Sequence, residues 1–176
     1  MDLAAGERFI TSETVATDNP KWSANSRRLT FCSGISCAAA QELGISVDDN
    51  LTVQLDSESP TPQPGYDMVW KLLRTAPHFT ALFAFNDISA LGAIRALREA
   101  GKRVPEDVSV IGFDDIQSAA FQNPGLTTIR QPLREMGMTA AETLVRRISS
   151  PKNLDYPKSI VVEPELIVRG STAPAL

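Results

Sequence analysis

Two pairs of polar residues stand directly after two apolar segments of this sequence. Residues 80–85 (TALFAF) lead into Asn86–Asp87, and residues 108–113 (VSVIGF) lead into Asp114–Asp115. Both segments are short and rich in β-branched or aromatic residues, which predicts strands covered on both faces. Ligands bind beyond the carboxyl ends of the strands in open α/β sheets. Amide and carboxylate groups there can hydrogen-bond the hydroxyls or amines of a small polar molecule, so the sequence predicts a binding module.

Each polar pair also has a simpler interpretation. Asn86–Asp87 can cap the helix that follows, because such side chains accept hydrogen bonds from the free amides of a helix start. Asp114–Asp115 can be a solvated turn between a strand and the next segment. Two such pairs at the ends of strands that the predicted topology brings together favour a binding site over either interpretation alone.

An enzyme is not predicted. Paired carboxylates can serve acid–base chemistry, and Asp114–Asp115 with Asp56 could form an oxygen-rich magnesium site. However, His78 is the only histidine, and the chain has neither a Gly-x-Ser-x-Gly elbow nor a glycine-rich phosphate loop. Cys32 and Cys37 do not have the spacing of a zinc or redox motif, so we expect buried free thiols. We therefore predict no catalytic residue, no metal and no cofactor.

The amino-acid composition limits the class of protein further. The chain has 176 residues, 43% of them hydrophobic and 22% charged, as in an ordinary globular protein of one domain. A formal charge of −4 argues against direct, sequence-independent binding to nucleic acid, which needs a concentrated basic face. No apolar run approaches the roughly 20 residues that cross a bilayer, and the start does not have the pattern of a signal peptide. We expect a cytoplasmic protein without membrane contact.

The other elements follow from periodicity and turn residues. Strands and helices alternate, which predicts an α/β fold with a parallel sheet and helices on both of its faces. Gly101 is the expected stop of the helix that begins near Asp87, and Pro132 suits the first position of the last helix. That last helix is expected to bury a stripe comprising Leu133, Met136, Ala140, Leu144 and Ile148. The remaining segments predicted are a helix over 35–43, a strand over 51–55, a loop over 57–64, a helix around 66–73, a short segment over 116–121, a strand over 126–129 and an extended region over 159–168.

Several of these segments together resemble one protein family. The motifs are NDISALGA at 86–93, VPEDVSVIGFDD at 104–115, LTTIRQP at 126–132 and EPELIVRGST at 163–172. In type, order and spacing they resemble the effector-binding domain of LacI/GalR-type bacterial transcriptional regulators. The resemblance implies a type I periplasmic-binding-protein-like fold, in which two α/β lobes close on a small effector, often a sugar. It also implies that Asn86 and Asp114 contact the effector, with Asp115 as a weaker candidate.

The resemblance assigns parts of the chain unequally. Residues 34–172 correspond to the effector-binding domain, mostly its C-terminal lobe, and the helix over 132–148 returns to a first lobe that this chain mostly lacks. Residues 1–33 are an atypical start that we expect to be irregular or poorly ordered, and 173–176 form a tail. The family tends to have an arginine where this chain has Phe31, so that contact is lost unless Arg27 or Arg28 replaces it.

The function implied is effector binding and dimerisation within a transcriptional regulator. Partners would be a sugar-like effector and a second copy or a full-length relative. DNA would be bound only through a helix-turn-helix that is absent from these 176 residues. The alternative is a sugar-binding protein of the periplasmic-binding-protein type, although the Gly-Phe-Asp-Asp and Leu-Thr-Thr-Ile-x-Gln-Pro motifs favour the regulator.

Overall fold

A computed structural model describes residues 29–31, 51, 53, 60–75, 78–149 and 159–174. In these ranges, the sheet consists of five strands in the sequential order β1 to β5. The strands are β1 (Leu29–Phe31), β2 (Ala81–Phe83), β3 (Ser109–Phe113), β4 (Thr127–Arg130) and β5 (Glu165–Ile167). The helices are α1 (Gln63–Thr75), α2 (Asp87–Glu99), α3 (Gln117–Phe121) and α4 (Leu133–Ser149).

Four of the strands form a parallel sheet, as the alternation of strands and helices predicts. β2 pairs with β1 on one side and β3 on the other, and β3 pairs in parallel with β4. β5 differs, because it pairs with β4 in the antiparallel direction, with Ile129 opposite Leu166. The predicted α/β fold with a mostly parallel sheet is confirmed, and β5 is the antiparallel member among the described strands. Alternation predicts that residues 159–168 are extended, but it does not encode the direction in which they cross the sheet.

Two helices, α1 and α2, pack closely because each has a glycine at the contact. A Cβ at Gly65 would lie 2.0 Å from the carbonyl oxygen of Ser89, and a Cβ at Gly92 would lie 1.9 Å from that of Pro62. The backbones thus meet directly, where any side chain would force them apart. The core beneath them consists of buried apolar residues that include Leu72, Leu82, Ile94, Leu97 and Val110.

The ends of the helices agree largely with the sequence. Asn86 caps α2, and Gly101 follows its end with a φ of 77°, a left-handed conformation in which glycine is favoured. α1 starts at Gln63, so the predicted loop over 57–64 is wrong at its last two residues. Pro64 falls in the first turn of α1, where its missing amide would have no partner in the helix.

The last helix, α4, corrects a second prediction. It spans Leu133–Ser149, close to the predicted 132–148, with Pro132 just before its start. None of its residues is buried, and Leu133, Leu144 and Ile148 are each at least 60% exposed. The stripe was expected to be buried because periodicity indicates an apolar face, but periodicity does not show which surface covers that face.

Residues near the N-terminus are described only in part. Leu29–Phe31 lie within the predicted atypical start over 1–33, and they form β1. Leu51 and Val53, from the predicted strand over 51–55, are buried, and neither lies in a strand. The predicted helix over 35–43, both cysteines, and Arg27 and Arg28 lie outside the described residues.

Residues 169–172 are joined to the amino-terminal parts of β3 and β4. The Ser171 side chain is completely buried; its Oγ accepts a hydrogen bond from the Thr127 amide at 2.8 Å and donates one to the Val110 carbonyl at 2.6 Å. The Val110 amide in turn donates to the Ser171 carbonyl at 2.8 Å. This segment therefore completes the sheet and is not a loose extension of β5.

Candidate functional site

The candidate site lies beyond the carboxyl ends of β2, β3 and β4. Because these strands are parallel neighbours, the residues that follow them lie at one edge of the sheet. Asn86 follows β2, Asp114 and Asp115 follow β3, and Gln131 follows β4. The sequence predicted the first three of these residues, and the structure adds Gln131.

Asn86 both caps α2 and keeps polar atoms available. Its Oδ1 accepts a hydrogen bond from the Ser89 amide at 2.8 Å, so the capping interpretation of this residue is correct. Among the described residues its Nδ2 has no hydrogen-bond partner, and the residue is only half-buried. Capping uses the carbonyl oxygen of the side chain and leaves the two amide hydrogens for another molecule.

Asp114 and Asp115 form a turn in an unusual backbone conformation. Their φ angles are 108° and 54°, in the region that residues with a Cβ rarely adopt. The Asp114 amide donates to the Ile129 carbonyl at 2.9 Å, which continues the pairing of β3 with β4. Gln131 Nε2 donates to Asp114 Oδ1 at 2.6 Å. The other carboxylate oxygen of Asp114 makes no hydrogen bond to the described residues.

Asp115 is held by two arginines. Arg169 Nη2 donates to its Oδ1 at 2.6 Å, and Arg130 Nε donates to its Oδ2 at 2.7 Å. Burial raises the pKa of Asp115, but the hydrogen bonds and charges of the two arginines outweigh that effect and hold the pKa below its ordinary value. Both oxygens are thus engaged within the protein, and Asp115 joins β3, β4 and the segment after β5.

Asp87 is directed into the protein at the same edge. It is completely buried, its Oδ1 accepts from Thr128 Oγ1 at 2.5 Å, and its Oδ2 accepts from the Ile116 amide at 2.8 Å. Burial raises its pKa above the ordinary value; the two hydrogen bonds oppose this, and the neighbouring carboxylates of Asp114 and Asp115 add to it. The carboxylates of Asp87, Asp114 and Asp115 are therefore close enough to influence one another.

The described part of the chain was expected to hold no metal, and its acidic residues do not form a metal-binding cluster. Among the residues described, no three His, Cys, Asp or Glu side chains are arranged around a common point. Asp56, the third ligand of the alternative magnesium site, lies outside the described residues.

None of the helices that the structure describes is long and apolar enough to cross a membrane. A groove of about 580 Å³ runs along the start of α4, beside Gln131 and lined by residues such as Leu133 and Met138.

Comparison with known protein families identifies the family of this domain. The pattern of the periplasmic binding protein-like domain family matches residues 15–172. The chain belongs to this family. The match begins at residue 15, well before residue 34, where the resemblance was expected to start.

Several curated relatives that are similar to this chain in sequence are transcriptional repressors. It is 42% identical over 135 residues to the HTH-type transcriptional repressor PurR of Yersinia pestis bv. Antiqua, and 43% identical to that of Salmonella newport. These alignments cover 77% of this chain and 38% of each relative. The chain thus spans well under half the length of the relatives that it matches.

Solved structures agree with the curated relatives. The chain superposes on the transcriptional regulator CelR in complex with cellobiose with a TM-score of 0.73 and 33% identity, over 84% of this chain and 47% of that one. For a LacI family regulator from Enterococcus faecium with bound ribose, the TM-score is 0.65 at 32% identity, over 84% and 56%. The predicted resemblance to the effector-binding domain of LacI-type regulators is confirmed. These proteins are regulators, in agreement with a binding domain and not an enzyme.

Proposed function

We propose that this chain binds a small polar effector at the carboxyl edge of its sheet and that binding controls transcription. The observation that carries the proposal is the pair of polar groups left without partners among the described residues. Asn86 offers two amide hydrogens at the end of β2, and Asp114 offers a carboxylate oxygen at the end of β3. A donor and an acceptor on adjacent strands suit a ligand with neighbouring polar groups.

The effector class that best suits this pair is a sugar. A hydroxyl can donate to the Asp114 carboxylate and accept from the Asn86 amide, and neighbouring hydroxyls of a sugar can do both at once. Two structures similar to this chain hold cellobiose and ribose. An amine-bearing heterocycle has the same donors and acceptors, so nitrogen bases belong in the test as well.

We propose a different role for Asp115 from the one that the sequence predicted, and we add Gln131 to the site. Asp115 was proposed as a weaker effector contact, but both of its oxygens are hydrogen-bonded to arginines. We assign it the role of holding the turn, and assign effector contact to Asn86 and Asp114. Gln131 joins them because it orients the Asp114 carboxylate through Oδ1.

The test is a titration followed by NMR, which detects binding as weak as roughly millimolar. Ribose, lactose, cellobiose and adenine are added in turn to the 176-residue chain, and the side-chain amides of Asn86 and Gln131 are observed. Asn86→Ser keeps a capping oxygen but removes both amide hydrogens. Asp114→Asn keeps the size of the side chain but removes its charge. Each variant is expected to weaken binding by about 1–3 kcal/mol, because a polar group of the ligand loses its partner.

Glu106→Gln is the matched control, because this exposed carboxylate lies in the turn before β3, away from the site. It should bind as the unmodified chain does. Saturable shifts at the side-chain amide of Gln131 that need a higher probe concentration in both site variants support the proposal. Saturable binding of a probe that both site variants leave unchanged would contradict the assignment of these residues.

Self-association is the second part of the proposal. Phe121, at the end of α3, has 81% of its surface exposed, which suits a contact with a second copy or with a full-length relative. The exposed side of α2, in contrast, presents the charged residues Arg95, Arg98 and Glu99. Sedimentation at roughly micromolar concentration should show a dimer that Phe121→Lys dissociates. A chain that stays monomeric throughout would remove this part of the proposal.

Control of transcription by this chain would be indirect. With a formal charge of −4, the 176 residues offer little attraction for DNA, so we expect no specific binding to an operator. The chain would act in the cytoplasm through mixed dimers with a full-length relative. A mobility-shift assay at low salt tests the first point, and co-purification with such a relative tests the second. A sequence-specific shift by the chain alone would refute the indirect route.

A further inference from the structure

We infer that Asp87 is a positioning residue, which fixes the turn at Asp114–Asp115 and thereby sets the distance between the Asp114 carboxylate and Asn86. This inference rests on the proposed effector site and names a residue that does not itself contact the effector. Asp87 is completely buried, whereas Asn86 and Asp114 are half-buried at the edge.

The first observation is the space that the sequence leaves for this carboxylate. An acidic residue in the first turn of a helix usually stays near that helix end, where its charge is favoured. Asp87 instead extends across the end of β3. A Cβ at Gly112 would lie only 2.2 Å from Asp87 Oδ1 and 3.0 Å from Leu126 Cδ2. The Asp87 carboxylate therefore occupies the volume that the side chain of any residue other than glycine at position 112 would need.

The second observation is that the turn has its successive amides fixed by three different acceptors. The Asp114 amide donates to the Ile129 carbonyl, as in an ordinary strand pair. The Asp115 amide donates to Thr128 Oγ1 at 3.4 Å, and Thr128 Oγ1 in turn donates to Asp87 Oδ1. The Ile116 amide donates to Asp87 Oδ2. Asp87 thus holds two consecutive residues of the turn, one directly and one through Thr128.

The third observation is that the turn needs such support. Two consecutive residues other than glycine with positive φ are unfavourable, and they persist only where the surroundings determine them. The arginines on Asp115 hold its side chain, whereas Asp87 acts on the backbone. A buried, ionisable group is itself costly, so its hydrogen bonds must be kept for it to be tolerated.

These contacts tie the two effector-facing residues together. Asn86 and Asp87 are adjacent in the chain, at the start of one helix. Asn86 presents its amide outward, and Asp87 turns inward to hold the backbone that presents Asp114. A shift of α2 would therefore move both faces of the site as one unit, and loss of the Asp87 carboxylate would uncouple them.

The first arm of the test measures amide hydrogen exchange by NMR and needs no ligand. Asp87→Ala removes both acceptors, Asp87→Asn keeps one, and Thr128→Val removes the hydroxyl while keeping the shape. Exchange at the Ile116 amide should be at least tenfold faster in Asp87→Ala and intermediate in Asp87→Asn. Exchange at the Asp115 amide should be faster in Thr128→Val, which also serves if Asp87→Ala does not fold. The amides of Val110 and Thr127, held by Ser171, report global stability and should not change in parallel.

The second arm measures affinity for the probe that the unmodified chain binds best among ribose, lactose, cellobiose and adenine. A double-mutant cycle combines Asp87→Ala with Asp114→Asn. If Asp87 acts through Asp114, the double variant binds no more weakly than Asp114→Asn alone. Losses that multiply fully would show that Asp87 acts independently of Asp114 and would overturn the inference.

The two arms separate the inference from the function on which it rests. Failure of all four probes to bind would count against the proposed function, and the exchange rates would still decide whether Asp87 holds the turn. Exchange at Asp115 and Ile116 that stays within twofold of the unmodified chain in every folded variant would overturn the inference, whatever the probes do. Accelerated exchange at all four amides alike would also overturn it, because it would show a general loss of stability.

Discussion

Replacing Ser171 by alanine tests whether residues 169–172 are part of the folded sheet. The change deletes one oxygen atom that is completely buried between β3 and β4. That oxygen accepts from the Thr127 amide at 2.8 Å and donates to the Val110 carbonyl at 2.6 Å. Alanine adds no bulk, so the effect of the change comes from the two backbone groups that lose their partner.

The magnitude follows from those two groups. A buried amide left without an acceptor costs about 1–3 kcal/mol, and a carbonyl costs less because it has a second lone pair. We expect Ser171→Ala to lower the free energy of unfolding by about 2–4 kcal/mol. For a chain of this size that corresponds to a fall in Tm of roughly 4–12 °C.

Urea denaturation followed by circular dichroism measures the loss, with the slope m checked to be unchanged. Ser118→Ala, at an exposed position of α3, is the matched control and should change the free energy of unfolding by less than about 0.5 kcal/mol. If Ser171→Ala is no more destabilising than Ser118→Ala, the reasoning that residues 169–172 complete the sheet is refuted.

Three further changes test other contacts. Gly92→Ala should lower the free energy of unfolding by at least about 2 kcal/mol, because its Cβ would meet the Pro62 backbone, whereas Gly137→Ala, with open space at its Cβ, should be neutral or stabilising; equal effects in thermal melts would contradict this packing. Gly112→Ala should displace the Asp87 carboxylate and cost about 1–3 kcal/mol, and a crystal structure with Asp87 unmoved would disprove the crowding. Because the pKa of Asp115 is lowered in the folded state, its ion pairs stabilise the fold above about pH 4 and lose this effect as the pH falls through the lowered pKa. The difference in stability between the unmodified chain and Asp115→Asn should thus shrink from pH 7 to acid, and a difference that grows in acid would reverse the sign of the argument.

The sequence predicts most of the frame of the site. β2 and β3 are apolar and β-branched, and the polar residues that follow them mark the ends of the strands. Asn86 is a favourable helix cap, so the start of α2 is encoded locally, as is its end at Gly101. The rule that located Asn86 and Asp114 also applies to β4, and it would have found Gln131 had it been used there.

Other features depend on contacts between distant segments. The inward orientation of Asp87 requires the absence of a side chain at Gly112, 25 residues later in the chain, and no local pattern reports that pairing. The contacts of Gly65 and Gly92 with α2 and α1 depend on how the two helices cross. The arginine partners of Asp115 come from β4 and from the segment after β5. The exposure of α4 and the direction of β5 likewise depend on what lies beside them.

The contacts of residues 169–172 with β3 and β4 can form only late in synthesis of the chain, because these residues are made after both strands. Arg169 reaches back 54 residues to Asp115, and Ser171 reaches back 61 residues to Val110. A nascent chain that has emerged only as far as α4 can form β1 to β4 and the Arg130–Asp115 ion pair, but it lacks both Arg169 and the Ser171 oxygen that bridges Val110 and Thr127. Domains fold largely as units during synthesis. The turn at Asp114–Asp115 should thus gain its last ion pair only after residues 169–172 have emerged, so that an interrupted chain would hold this turn less firmly than the full chain does.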